Sequence, residues 1–172
     1  MTTLYAHVPS PIGDLLLGGA WDDERQVAPG GLVLHGLYLP GHRRGPAIDP
    51  TWREDPAAFA GARAALDAYF ADGSAAFHLP LDLRGTPFQR AVWAALVRVP
   101  SGEPVTFAEL ARRVGRPSAA RAVGSAVARN PVSIVVPCHR VVGSDGTLTG
   151  YAGGIERKAW LLAHERAARS RA

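Results

Sequence analysis

The chain holds one cysteine in 172 residues, so no intrachain disulfide can form and a cysteine-rich zinc site is excluded. No apolar run approaches the roughly 18 residues that a membrane span needs. No positive side chain precedes Arg25, and Pro9 and Pro11 interrupt the early apolar stretch, so no secretory signal pattern is present. Internal repeats and low-complexity tracts are also missing. Charged residues make up 20% against 47% apolar, a balance that argues against a disordered chain. At this length a chain buries roughly 70% of its unfolded surface, enough for a core without staples. These absences lead us to expect one domain, or one domain with a small subdomain, in a reducing, cytoplasmic setting.

The charge that is present is unevenly placed. Residues 1–86 carry six Arg and ten Asp/Glu, a net −4, whereas residues 87–172 carry thirteen Arg/Lys and five Asp/Glu, a net +8. Such asymmetry describes an acidic half that supports and a basic half that meets a polyanion. Eighteen of the nineteen cations are Arg, which a GC-rich genome would also produce.

The first forty residues read as β, with short apolar segments at 4–8, 14–18 and 31–39 and a Ser10-Pro11-Ile12-Gly13 turn signal between the first two. Residues 40–50, with three prolines, two glycines and the Arg43-Arg44 pair, read as an exposed loop. A helix follows over 56–71, with Phe59, Leu66 and Phe70 on one face and Asp72-Gly73 at its end. The basic half reads as mostly helical. Thr86-Pro87-Phe88-Gln89 is a capping box opening a helix to about 99, and Thr106 to Glu109 is a second box opening a short helix to about 115. Pro117 starts a third helix reaching 129, the β-branched run at 133–136 suits a buried strand or extended segment, and a last helix spans 155–168.

Two short helices joined across Gly115-Arg116-Pro117 fit a helix-turn-helix, although spacing alone favours an ordinary αα-hairpin. The second of them is nearly bare of bulk: Ala119, Ala120, Ala122, Gly124, Ser125, Ala126 and Ala128 leave Arg121 and Arg129 as its long side chains. So thin a helix can lie against a partner helix or in a minor groove about 6 Å wide. The lone cysteine sits in Val135-Val136-Pro137-Cys138-His139-Arg140-Val141-Val142. A thiol with a pKa near 8.5 is only a few per cent ionised at neutral pH, so an adjacent base and positive charge matter. In an extended segment Cys138 and His139 would face opposite ways and would need a turn or a bridging water to communicate.

With these motifs in view, the chain resembles the O6-alkylguanine-DNA alkyltransferases, which move an alkyl group from damaged guanine onto their own cysteine. Pro137-Cys138-His139-Arg140-Val141 matches their active-site motif. The likeness runs from Thr86 to about Glu165 and extends loosely to the Ser-Pro-Ile-Gly turn and to Asp67-Ala68-Tyr69-Phe70. It implies an α/β fold: a small N-terminal β-sheet plus helix subdomain (1–85), then a mainly helical helix-turn-helix DNA-binding domain (86–172) that carries the alkyl transfer.

Carried over residue by residue, the resemblance makes Cys138 the acceptor, His139 its water-bridged base, Glu165 the carboxylate orienting that base, and Asn130 the hinge between recognition helix and active-site loop. It makes Arg121 the finger that fills the gap left by an extruded base. Phe107, Ala119, Ala120, Gly124, Ala128 and Arg129 form the rest of the DNA-binding surface. Tyr151, Ala152, Gly153 and Val141 are assigned to the guanine pocket. The family usually carries tyrosine where this chain has Phe107, so the hydroxyl that assists base rotation is lost, and Ala152 stands where some relatives have serine. The resemblance further implies double-stranded DNA gripped through the minor groove with little sequence preference, by a monomer, with cooperative binding left open. O4-alkylthymine is a candidate second substrate, and no cofactor or metal is implied. A sequence-specific helix-turn-helix regulator, a lesion-binding relative without transfer and a thiol hydrolase are the alternatives; only transfer adds an alkyl mass to the protein.

Overall fold

The computed structural model describes residues 1–22 and 31–172, so Arg25 lies outside the described residues. Strands β1 (Leu4–Val8) and β2 (Leu15–Trp21) form an antiparallel hairpin, and β3 (Leu32–Tyr38) pairs antiparallel with β2. A two-residue strand, β4 (Arg53–Glu54), adds parallel to β1 and completes the order β3-β2-β1-β4. The second strand runs past the expected position 18 through Gly18 and Gly19, where the register shifts in a bulge. Leu4, Ala6 and Val8 alternate inward on β1, as period-2 patterning requires.

The hairpin turn is held by Ser10, whose carbonyl accepts from Gly13 N (3.1 Å) and whose hydroxyl donates to Gly13 O (2.6 Å). Gly13 has φ +106°, and a Cβ there would lie 2.7 Å from Pro40 Cγ. Arg157 Nε donates to Ile12 O at 2.9 Å, so this N-terminal turn is tied to the far end of the chain.

The helix expected over 56–71 begins as a 3-10 turn, Pro56–Phe59, capped by Asp55, and continues as α1 (Ala60–Ala71). Its buried stripe is Phe59, Ala62, Leu66 and Tyr69, with the expected Phe70 half-buried against the same core. Helix α2 (Pro87–Val97) has the full capping box, with Thr86 Oγ1 accepting from Gln89 N and Gln89 Oε1 accepting from Thr86 N. A short parallel pair, β5 (Val105–Thr106) with β6 (Val141–Val142), was not apparent from patterning, because two residues carry no periodicity. Helix α3 (Phe107–Arg113) keeps half of its expected box: Thr106 caps Glu109 N, but the Glu109 carboxylate turns to Arg112 and Arg113. Helix α4 (Ala120–Ala128) starts three residues after Pro117, because Ala119 N bonds back to Arg116 O in a turn and Ala119 leaves helical geometry. Trp93 Nε1 donates to Ala126 O at 2.9 Å, fixing α4 on α2.

Residues 133–136 are buried, as expected, but form a turn rather than a strand. Val136 N bonds to Val132 O, and Ile134 takes φ 72°, which is costly for a β-branched residue. The edge of β3 is covered from two sides: Leu34 pairs with the 80–82 segment and Leu37 with the 131–133 segment. Helix α5 (Ile155–Arg171) closes the chain, three residues longer than anticipated. Among the described residues no helix is long and apolar enough to cross a membrane.

Replacing Gly13 with alanine should cost about 1–3 kcal/mol in chemical denaturation, the usual penalty for a side chain held in a left-handed turn. A neutral substitution would show that the Pro40 contact gives way freely.

Candidate active site

Pro137 bends the chain into a single 3-10 turn, Cys138–Arg140, in which Cys138 N bonds to Val136 O (2.8 Å) and Arg140 N to Pro137 O (3.0 Å). At three residues per turn, successive side chains leave in different directions. The turn reduces the opposed facing of an extended Cys138-His139 pair to about 120°, so the two side chains still leave on different sides. Cys138 (6% exposed) opens on a cleft, while His139 (0%) and Arg140 (9%) point into the protein.

Both of the latter meet Glu165 on α5. His139 Nε2 lies 2.6 Å from Glu165 Oε1, Arg140 grips the carboxylate with Nε (2.9 Å) and Nη2 (2.8 Å), and Tyr69 donates its hydroxyl to Oε1 at 2.8 Å. Gly102 N reaches Oε2 at 3.4 Å, and Arg140 Nη1 also caps Val99 O at 2.7 Å. Burial on its own would raise the Glu165 pKa, but the hydrogen bonds and charges of His139 and Arg140 outweigh it and hold the carboxyl at about 2. An ionised Glu165 accepts, so the His139 proton resides on Nε2. Nδ1 is then left as a buried acceptor with no partner among the described residues. Burial, followed by the Arg140 and Lys158 charges, keeps the imidazole neutral against the pull of Glu165.

Burial raises the Cys138 thiol above its ordinary value, while the nearby Asn130 amide, Tyr151 hydroxyl and Lys158 charge favour the thiolate. The Tyr151 hydroxyl faces the sulfur without a geometrically complete hydrogen bond and has no other partner among the described residues. Asn130 ties both ends of the 132–136 turn that leads into the reactive one: its Oδ1 accepts from Val132 N (3.0 Å) and its Nδ2 donates to Val136 O (2.7 Å). The buried Lys158 donates to Val141 O (2.6 Å) and Thr149 O (3.0 Å) and lines the Cys138 cleft.

The cleft above Cys138 is tight, with room for about 30 Å3, between Phe107, Gly124, Val127 and Ala128 on one side and Gly150, Tyr151 and Ala152 on the other. It opens into a vestibule of about 550 Å3 rimmed by Arg43 and Arg44. Val141 and Gly153, expected in the pocket, instead support it from behind. Val141 pairs in β6 and accepts from Lys158, and Gly153 packs on Leu39 and accepts from Arg157. Ala119 and Ala120 lie half-buried at the start of α4, and Arg121 and Arg129 are exposed.

Sequence reasoning gave no role to Arg140, Tyr69, Lys158 or the 42–44 segment. Lys158 carried a signal, as the sole lysine among nineteen cations. Tyr69 stood in the family-like Asp67-Ala68-Tyr69-Phe70 segment and Arg43-Arg44 stood out as a basic pair, but neither pattern pointed to the site, because only distant contacts bring them there. Among the described residues no cluster of three or more His, Cys, Asp or Glu side chains is placed to hold a metal ion.

This network should make stability fall in acid in two stages. His139, held neutral below its ordinary 6.5, withdraws stability as pH drops below that value. Glu165 contributes stability that is complete above its ordinary 4.5 and lost as pH falls towards 2. The Glu165 contribution is about 3 kcal/mol. Unfolding free energies across pH should show both declines, and Glu165→Gln should be less stable at neutral pH and lack the second decline.

With the geometry established, comparison with known proteins assigns the chain. Residues 87–167 match the 6-O-methylguanine DNA methyltransferase, DNA binding domain. A methylated-DNA–protein-cysteine methyltransferase of Mycolicibacterium paratuberculosis is 49% identical over 162 residues, covering 94% of this chain and 92% of that protein. One from Salmonella typhimurium is 50% identical over 147 residues, covering 84% and 80%. The crystal structure of Mycobacterium tuberculosis OGT in complex with DNA superposes with a TM-score of 0.83 at 45% identity, covering 96% of this chain and 94% of that one. The α/β arrangement expected from the sequence is the one these relatives share, and the chain belongs to the methylated-DNA–protein-cysteine methyltransferase family.

Proposed function

We propose that the chain reverses DNA alkylation directly, transferring the alkyl group of an O6-alkylguanine to Cys138 in one irreversible turnover. The observation that carries this reading is the His139–Glu165 pair at 2.6 Å. It fixes the imidazole proton on Nε2 and leaves Nδ1 as an acceptor one residue from a thiol that opens on a cleft. His139 takes the thiol proton through a bridging water, and Glu165 offsets the charge that the imidazole gains. The thiolate attacks the alkyl carbon, the S–C bond forms as the C–O6 bond breaks, and the electron pair passes to guanine. The departing base takes up a proton, which balances the one held by His139. A thioether is not readily cleaved, so the protein acts once and needs no cofactor.

DNA is the partner in this reading, with residues 1–85 supporting and residues 86–172 binding and reacting. The lesion is rotated out of the stack at a cost of a few kcal/mol. The α4 surface formed by Ala119, Ala120, Gly124 and Ala128 is thin enough to enter a minor groove about 6 Å wide, with Arg121 filling the vacated stack and Arg129 on the backbone. Phe107 crowds the rotating nucleotide with its ring alone. Tyr151 and Ala152 wall the guanine, and their backbone donors face its oxygen. Binding is dominated by arginine–phosphate contacts with little sequence preference, by a monomer in the cytoplasm. O4-alkylthymine fits the same chemistry as a second substrate.

Intact-protein mass after incubation with O6-methylguanine duplex should show one added methyl group. Cys138→Ser should gain none while still binding the lesion, because an alcohol at neutral pH is far less nucleophilic than a thiolate. Mass gain in the serine variant would place the acceptor elsewhere.

Arg121→Ala should slow single-turnover repair of duplex about tenfold more than repair of single strand, or roughly 1.4 kcal/mol, since a single strand leaves less of a gap to fill. Equal losses would reduce Arg121 to a phosphate contact.

A further inference from the structure

The cleft above Cys138 has one wall residue from the acidic half of the chain. His42 lies in the 40–50 stretch that reads in the sequence as an exposed loop, yet it lines the cleft together with Cys138, Phe107 and Tyr151. The segment around it is folded. His42 N bonds to Leu39 O (3.1 Å), Gly45 N bonds to His42 O (3.0 Å), and Arg43 N bonds to Ala152 O at 3.1 Å in the neighbouring loop of the cleft. The imidazole is fixed as well. Its Nδ1 accepts from Arg44 N at 3.1 Å, and its ring meets Tyr38 edge-on, with centroids 5.3 Å apart and planes at 78°. It cannot swing aside without breaking that bond and leaving Tyr38.

We propose that His42 determines specificity in the transfer reaction, setting the largest alkyl group that can reach Cys138; this rests on the alkyl-transfer reading above. His42 lines the inner cleft, which has room for only about 30 Å3, and does not line the vestibule of about 550 Å3, so its ring belongs to the narrow part that Cys138 shares. Much of the remaining inner wall offers little to remove. Gly124, Ala128, Gly150 and Ala152 are small, and Asn130 and Lys158 are bound to backbone carbonyls. Of the bulky side chains there, Phe107 and Val127 belong to the helices that meet DNA and Tyr151 is buried against the thiol, whereas His42 is half-buried and comes from the acidic half of the chain. A rigid wall discriminates by about tenfold or more for each methylene that does not fit.

The test is a pair of otherwise identical duplexes carrying O6-methylguanine or O6-n-butylguanine, with single-turnover transfer followed by intact-protein mass. His42→Asn removes the ring but keeps an oxygen able to accept from the N–H two residues on, so the loop retains its bond. The butyl-to-methyl rate ratio should rise at least about tenfold in this variant. An unchanged or lower ratio, in a variant that melts like the parent, overturns the proposal. Should His42→Asn melt early, His42→Trp carries the test in the opposite direction: a ratio at least threefold lower supports the proposal, and an unchanged one overturns it. If the parent protein gains no mass from the methyl duplex, the alkyl-transfer reading itself fails and this one with it. Transfer with a ratio indifferent to residue 42 removes only the role of His42.

Discussion

Taking the Glu165 carboxylate wholly out of water is costly, and the protein meets that cost with the groups its chemistry needs. Tyr69 comes from α1, Gly102 from the loop after α2, His139 and Arg140 from the 3-10 turn, and all converge on the two oxygens of one α5 side chain. Removing the carboxylate would strand a buried guanidinium and free the imidazole to change tautomer. The same interaction therefore holds the acidic half, the reactive turn and the last helix together and decides which nitrogen of His139 is free to act. Stability and reactivity share one carboxylate.

Around that hub, polar side chains are spent on backbone. Asn130 binds both ends of the 132–136 turn and holds Ile134 in a left-handed conformation it would not choose alone. Lys158 binds Val141 O and Thr149 O, bracketing the segment that runs from the reactive turn to the far wall of the cleft. Arg157 and Arg43 fasten that wall to the N-terminal turn and to the 39–45 segment. The cleft over Cys138 is consequently a seam between the halves of the chain, with helices α3 and α4 on one side and loops on the other.

Where a feature depends on neighbours in sequence, it was legible before the structure. The capping box at Thr86 and Gln89 and the Ser10–Gly13 turn are formed by residues three apart. The first strand matches its apolar run to the residue. The reactive motif at 137–141 and its partners Asn130 and Glu165 were also legible, through family likeness. Misreadings occurred where a distant group intervened. The run at 133–136 has strand composition, but Asn130 and the edge of β3 bend it into a turn. On α1 the expected Phe59, Leu66 and Phe70 do meet the core, but Tyr69, polar-tipped, joins them because it is buried against Glu165. The loop at 40–50 is exposed as its composition indicates, and what the composition did not show is that the Arg43–Ala152 bond brings His42 to the cleft.

The sequence by itself determined the local elements, the uneven charge, the single nucleophile and the thin, small-residue helix that accompanies it. Only the tertiary structure decided that Arg140 shares the carboxylate of His139, that Lys158 is buried beside the thiol, and that His42 stands in the cleft. The reason is physical. Caps, turns and periodic faces arise from interactions over a few residues, whereas charge burial and cavity walls depend on which segments meet. Those meetings span 25 residues between Arg140 and Glu165, 96 between Tyr69 and Glu165, and 145 between Ile12 and Arg157, and no local pattern encodes them.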